Sequence, residues 1–272
     1  MCRLLGIVSS EPTKFRIVPQ ESTRNLAALS RAHRDGWGLA VYEPSAASSP
    51  AGDGSWRFDR TSACAPEDAN VRRLASGRGA LMLWHTRRNS TGVANDLHPF
   101  RSGRWVFAHD GTIHKRDYLR LNTSRRRQAE LRGHTDSELL FAYLLTQLDL
   151  AGVTDEHASP ATDDAIRDAV RRACATPNFG AANFLLSEGA ALYAHRSGRT
   201  LFLLEREPMD PVRPSRQSRD GTVVVTPWSQ NRRAVLIASE AMTDEPWKAI
   251  EERRVVRVDR VPSPKWRPLP TA

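Results

Sequence analysis

Cys2 follows Met1 directly, so removal of the initiator methionine would put a thiol and an α-amine on one residue. An α-amine titrates near about 7.7–8.0 and a thiol near about 8.5, so the amine can take the thiol proton at neutral pH. The proton can pass directly or through a water, and the amine can later return it to a leaving amine. One residue would then supply nucleophile and base. On position alone, Cys2 is also readable as a small residue that opens a strand.

Two polar clusters offer partners for such a nucleophile: HTRRNSTG at 85–92 and HDGTIH at 109–114. Each follows an apolar run that reads as a strand, Ala80–Thr86 and Trp105–Ala108, and sites are commonly built where polar residues cluster at strand ends. A third cluster, HTDSE at 134–138, opens a helix expected over Thr135–Leu150. Its Ser/Thr/Asp start suits an N-terminus, and Leu139, Leu140, Tyr143, Leu144 and Leu148 form an apolar stripe.

The positioning elements follow from the same patterning. Cys2–Ser9 reads as a buried strand ended by Ser-Ser-Glu-Pro, residues 21–33 as a helix, and 36–42 as a strand. PSAASSPAGDG at 44–54 is a loop by composition. Asp163–Ala175 reads as a helix stopped by Pro177. The chain then turns β-rich, with strands expected at Asn183–Ser187, Ala191–His195, Thr200–Leu204, Thr222–Thr226, Ala234–Ser239 and Arg254–Val258. The proline-rich segment 260–272, which ends in PSPKWRPLPTA, reads as an irregular strap. No repeat or linker divides residues 1–272, so one α+β domain of stacked layers is expected.

The 272 residues, 40% hydrophobic and 26% charged, are ordinary for a globular chain and exclude a disordered tail or fibrous repeat. The net charge of +9 raises nucleic acid as a partner. Against that, the positive charge is mostly arginine scattered along the chain, lysine occurring only at Lys14, Lys115, Lys248 and Lys265. No basic stripe with interleaved aromatics and no binding module accompanies it. Cys2, Cys64 and Cys174 are odd in number, widely separated and without metal spacing, which argues against a disulfide framework or zinc site. Nothing reads as a signal h-region or reaches the roughly 20 apolar residues of a membrane span, so a cytoplasmic protein is expected.

Taken in order, Met-Cys at the start, HRDGWGLA (33–40), HTRRNSTG (85–92), LHPF (97–100), FAHDGTI (107–113), HTDSE (134–138), NFLLSEG (183–189) and LIASEAMTDEPW (236–247) resemble the class II glutamine amidotransferases. That resemblance implies an N-terminal cysteine nucleophile on a four-layer αββα sandwich of the N-terminal-nucleophile hydrolase type. The chain looks most like stand-alone members, including the γ-glutamyl amidohydrolase type. Arg87 matches the arginine that holds the glutamine α-carboxylate, a job suited to a guanidinium fork. Asp136 matches the carboxylate that binds the α-ammonium, a role compatible with a helix N-terminus. Gly111 matches the glycine whose N–H helps hold the tetrahedral oxyanion. Thr86 and His98 join the substrate-binding set, Arg88 and Asn89 could line the same pocket, and Asp35, Gly36, Trp37 and Gly38 shape a turn facing Cys2. His85, His98 and His109 read as hydrogen-bonding structural histidines.

One position departs from the family. Where it usually has asparagine, whose amide donates the second oxyanion hydrogen bond, this chain has Asp110. An ionised carboxylate has no proton to give there and repels the developing charge; only a protonated Asp110 could substitute. The expected activity is hydrolysis of the γ-amide of L-glutamine through a Cys2 thioester, with no metal or organic cofactor and ammonia passed to a separate synthase or other acceptor. Two alternatives stand beside it: an amidohydrolase of a larger γ-glutamyl conjugate, and a non-catalytic glutamine-binding regulator. A homo-oligomer is left open, and neither nucleic acid nor membrane is expected as a partner.

Overall fold

A computed structural model describes residues 3–14, 16–19, 37–45, 54–61, 78–86, 96–153, 161–208, 222–225, 232–242 and 245–270. The strands are β1 (Arg3–Lys14), β2 (Arg16–Pro19), β3 (Trp37–Pro44), β4 (Gly54–Thr61), β5 (Arg78–Thr86), β6 (Phe100–Ser102), β7 (Trp105–Ile113), β8 (Gly180–Ser187), β9 (Ala191–His195), β10 (Phe202–Arg206), β11 (Thr222–Val225), β12 (Ala234–Ala238), β13 (Lys248–Ala249), β14 (Val255–Asp259) and β15 (Lys265–Pro268). The helices are α1 (Arg116–Leu121), α2 (Arg125–Ala129), α3 (Asp136–Leu150) and α4 (Thr162–Ala175). Among the described residues, one sheet runs β13-β10-β12-β1-β5-β3-β4 and a second runs β15-β14-β9-β8-β7-β6, with β11 and β2 paired separately.

The period-2 alternation of each strand explains how these sheets stack. In the first sheet Leu4, Val8, Ala40, Tyr42, Leu81 and Leu83 face inward, where they meet Val106, Ala108, Leu185, Leu192, Ala194, Val256 and Val258 of the second. The alternate residues Leu5, Ile7, Trp37, Leu39, Val41, Met82 and Trp84 form a separate buried cluster. On the second sheet, Phe107, Phe184, Leu186 and Tyr193 pack against Leu140, Phe141, Tyr143 and Leu144 of α3 and Ile166 and Ala169 of α4. Both faces of each sheet are thus covered, which is why the central strands read as near-continuous apolar runs. The fold is an α+β sandwich with helices laid on the second sheet. The helix expected at 21–33 and most of the loop expected at 44–54 lie outside the described residues.

Several sequence expectations shift. β1 does not stop at Ser-Ser-Glu-Pro; its pairing with β5 resumes at Thr13 after a register break that follows Val8, and a bulge is where a strand tolerates a proline. β7 runs through His109, Asp110 and Gly111 to Ile113, because Val106–Ile113 pairs without a break with Ser187–Gly180 of β8. The C-terminal segment is not an irregular strap throughout: Lys265–Pro268 adds β15 at the sheet edge, paired with β14, a place where the missing N–H of a proline is harmless. α3 matches its expected span, with Thr135 as N-cap accepting from the Glu138 N–H at 3.1 Å. No helix among the described residues is long and apolar enough to cross a membrane.

Candidate active site

The ends of several strands meet at one rim of the sandwich. Arg3, the first described residue after Cys2, pairs with Thr86 at the end of β5, and Thr86 pairs in turn with Trp37 at the start of β3. Ser239, just past β12, donates its N–H to the Leu4 carbonyl at 3.1 Å, and its Oγ accepts from the Leu4 N–H at 2.9 Å. The chain neighbours of Cys2, Arg87 and Gly36 therefore lie in adjoining rows of one sheet. Cys2, Arg87, Arg88, Asn89, Asp35 and Gly36 themselves, like Cys64, lie outside the described residues.

β7 brings the HDG sequence to the same rim from the other sheet. Its alternation sends Phe107 and His109 toward the helices and Ala108 and Asp110 toward the first sheet. His109 Nε2 lies 3.2 Å from the Ala181 carbonyl and Nδ1 lies 2.8 Å from Ser137 Oγ. A carbonyl can only accept, which puts the ring proton on Nε2 and leaves Nδ1 to accept from the Ser137 hydroxyl. The next turn of this seam is tighter: the Ile113 N–H donates to Asp136 Oδ2 at 2.6 Å. The FAHDGTI and HTDSE segments are thereby laced together, and Asp136 is held at the first turn of α3 beside the end of β7. Oδ1 of Asp136 keeps no partner among the described residues.

Gly111 belongs to the same seam. A Cβ there would come within 2.0 Å of the Ala181 carbonyl oxygen, so β7 and β8 close on each other only with glycine at this point. Gly38 shows the same requirement on β3, where a Cβ would fall 1.8 Å from the His98 carbonyl oxygen. His98 itself is buried behind the rim. Its ring lies 4.2 Å from that of His85, 4.5 Å from that of Phe100 and 6.5 Å from that of His109, so His98 bridges a histidine of the first sheet and one of the second.

Asp110 is 4% exposed, and its Oδ1 lies 3.1 Å from the Arg199 guanidinium, while Ser239 Oγ reaches Oδ2 at 3.4 Å. Burial pushes the Asp110 carboxyl above its ordinary range, against the pull of Arg199 and the Ser239 hydroxyl. Sequence reasoning missed both partners. Arg199 sits in a turn between β9 and β10 that Asn183 secures: Asn183 Oδ1 accepts from the Ser197 N–H at 2.7 Å and Nδ2 donates to the Thr200 carbonyl at 3.0 Å. Asn183 is the residue opposite Asp110 in the β7–β8 ladder, so one cross-strand pair carries both the carboxylate and the anchor of its counter-ion. No group of three or more His, Cys, Asp or Glu side chains among the described residues is arranged to hold a metal ion.

The family model for class-II glutamine amidotransferases matches residues 1–260. The chain belongs to the class II glutamine amidotransferases. Within that family, it is 26% identical over 216 residues to a Haemophilus influenzae protein provisionally named glutamine amidotransferase, covering 76% of this chain and 67% of that one. It is also 26% identical over 265 residues to an uncharacterized protein of Methanocaldococcus jannaschii, covering 92% of this chain and 67% of the relative. The fold is similar to that of a Pseudomonas aeruginosa chain described as a predicted glutamine amidotransferase, with a TM-score of 0.65 and 22% identity over 95% of this chain and 98% of that one. It also resembles the glutamine phosphoribosylpyrophosphate amidotransferase of Bacillus subtilis, with a TM-score of 0.58 and 15% identity over all of this chain and 50% of that one.

Proposed function

We propose that this amidotransferase cleaves the γ-amide of L-glutamine through a thioester on Cys2. The observation that carries the reading is the convergence at one rim: the Leu4–Ser239–Asp110 hydrogen-bond chain joins the start of β1 to β7, and Asp136 is tied to the end of β7 through Ile113. The chain next to position 2, the oxyanion region at 110–111 and the carboxylate at 136 are thereby linked, which supports their serving one small substrate. Arg87, next in sequence after Thr86 at the end of β5, is assigned to the substrate α-carboxylate, and Asp136 to its α-ammonium. Thr86 and the buried His98 support the wall behind the substrate.

In the reaction, the Cys2 α-amine takes the thiol proton and the sulfur attacks the γ-carbonyl carbon. The carbonyl π pair moves onto oxygen, and the Gly111 N–H donates a hydrogen bond to the oxyanion so formed. Collapse expels ammonia with the proton returned by the amine, and water then releases glutamate from the thioester. Ammonia passes to a separate acceptor or synthase. Cys2→Ala tests the reading: ammonia release from glutamine is expected to vanish while the thermal midpoint stays near that of the unchanged chain, and undiminished turnover overturns it.

A further inference from the structure

An ionised carboxylate at position 110 places a negative charge beside a developing oxyanion and offers it no hydrogen-bond donor. The surroundings of Asp110 answer that problem. Arg199 approaches Oδ1 at 3.1 Å, close enough to neutralise it, yet Oδ1 accepts no aligned hydrogen bond from any described residue. The guanidinium N–H vectors therefore do not point squarely onto the carboxylate. The Arg199 side chain makes no other hydrogen bond or ion pair among the described residues, and it is 33% exposed while Asp110 is sealed at 4%. A planar fork with five donors, anchored from one side by a carboxylate and open on the other, suits an incoming oxygen anion.

The delivery of Arg199 is built in. Asn183 holds both ends of the turn around Arg199, at Ser197 and Thr200, and Thr200 Oγ1 donates to the Ser239 carbonyl at 2.7 Å. Ser239 in turn touches both Asp110 and Leu4. The turn is thus fixed to Asp110 and, through Ser239, to Leu4 near the start of β1.

We infer that Arg199 is the second oxyanion donor of this site, with Asp110 as its anchor, so that an Arg–Asp pair does the work of a single side-chain amide. The inference rests on the amidohydrolase reading above. Its bond changes are those already given; Arg199 adds a charge-assisted hydrogen bond to the oxygen that gains the π pair and exchanges no proton.

The test compares ammonia release by four chains: unchanged, Arg199→Ala, Arg199→Met and Arg199→Met/Asp110→Asn. Loss of one oxyanion donor costs about 10²–10³-fold in kcat in a comparable site, so both single variants are expected to fall by roughly 10²-fold with little change in KM. The double variant is expected to recover most of that loss, because asparagine donates without an anchor. Thermal midpoints separate loss of function from loss of fold, and methionine preserves the packing of the stem. Single variants within about twofold of the unchanged chain overturn the inference alone, as does a double variant no better than Arg199→Met. Absence of ammonia from the unchanged chain overturns the amidohydrolase reading and the inference with it.

Discussion

The Ile113 N–H donates to Asp136 Oδ2 at 2.6 Å, a bond that ties the last residue of β7 to the first of α3. It leaves one carboxylate oxygen for a ligand while the other serves the fold. Asp136→Asn keeps an oxygen for Ile113 but sets an amide N–H₂ where an α-ammonium would bind. A charge-assisted hydrogen bond contributes about 1.5–3 kcal/mol, so KM for glutamine is expected to rise roughly 10–100-fold with the thermal midpoint nearly kept. Asp136→Ala loses both bonds and is expected to lower the midpoint as well. Steady-state kinetics and a melting curve on the two variants check this; an unchanged KM in Asp136→Asn contradicts the binding role.

The His109–Ser137 contact predicts a different pattern. Ser137→Ala leaves Nδ1 of a buried ring without its donor, a loss of about 1–3 kcal/mol in folding free energy. Denaturant unfolding should show it as a lower midpoint with an unchanged slope. Equal midpoints for the variant and the unchanged chain contradict a stabilising His109–Ser137 bond.

Glu188, in the tight connection between β8 and β9, predicts a pH dependence. Its Oε1 accepts from the Ala191 N–H at 3.1 Å, its Oε2 has no partner among the described residues, and the side chain is buried. Burial pushes its carboxyl from an ordinary 4.5 up to about 7. The neutral form is the one the fold favours, so that stability is fully present below the unfolded value and is lost as pH rises through about 7. Glu188→Gln holds the neutral shape at every pH. It is expected to flatten the stability profile between pH 5 and 8, with a gain on the order of 2–3 kcal/mol at the upper end. Unfolding free energies of both chains across that range check it; parallel profiles contradict it.

How much of this was legible in the sequence depends on which force set each element. β9 and α3 follow from their own apolar spacing, because Ala191–His195 lies between two strands and α3 lays Leu140 and Leu144 on the sheet. β4 escaped notice because Trp56 and Phe58 alternate with Ser55, Arg57 and Asp59 at a sheet edge, a weak pattern next to a polar loop. α1 and α2 are too short and arginine-rich to show a period. β7 was read short because His109 and Asp110 look like a loop; partners far along the chain, Ser137 and Arg199, are what let polar side chains sit buried in a strand. Asp136 and Asp110 were found through the family motifs. Arg199 carries no local signal in Ser-Gly-Arg-Thr, since its meaning comes from the turn that Asn183 fixes in three dimensions.

The most direct measurement of the central claim is intact mass spectrometry of the chain mixed with glutamine and quenched in acid. The account predicts a chain lighter by one methionine, with a fraction heavier by one γ-glutamyl group attached through Cys2. Quantitative retention of Met1, with no adduct at Cys2, would contradict it.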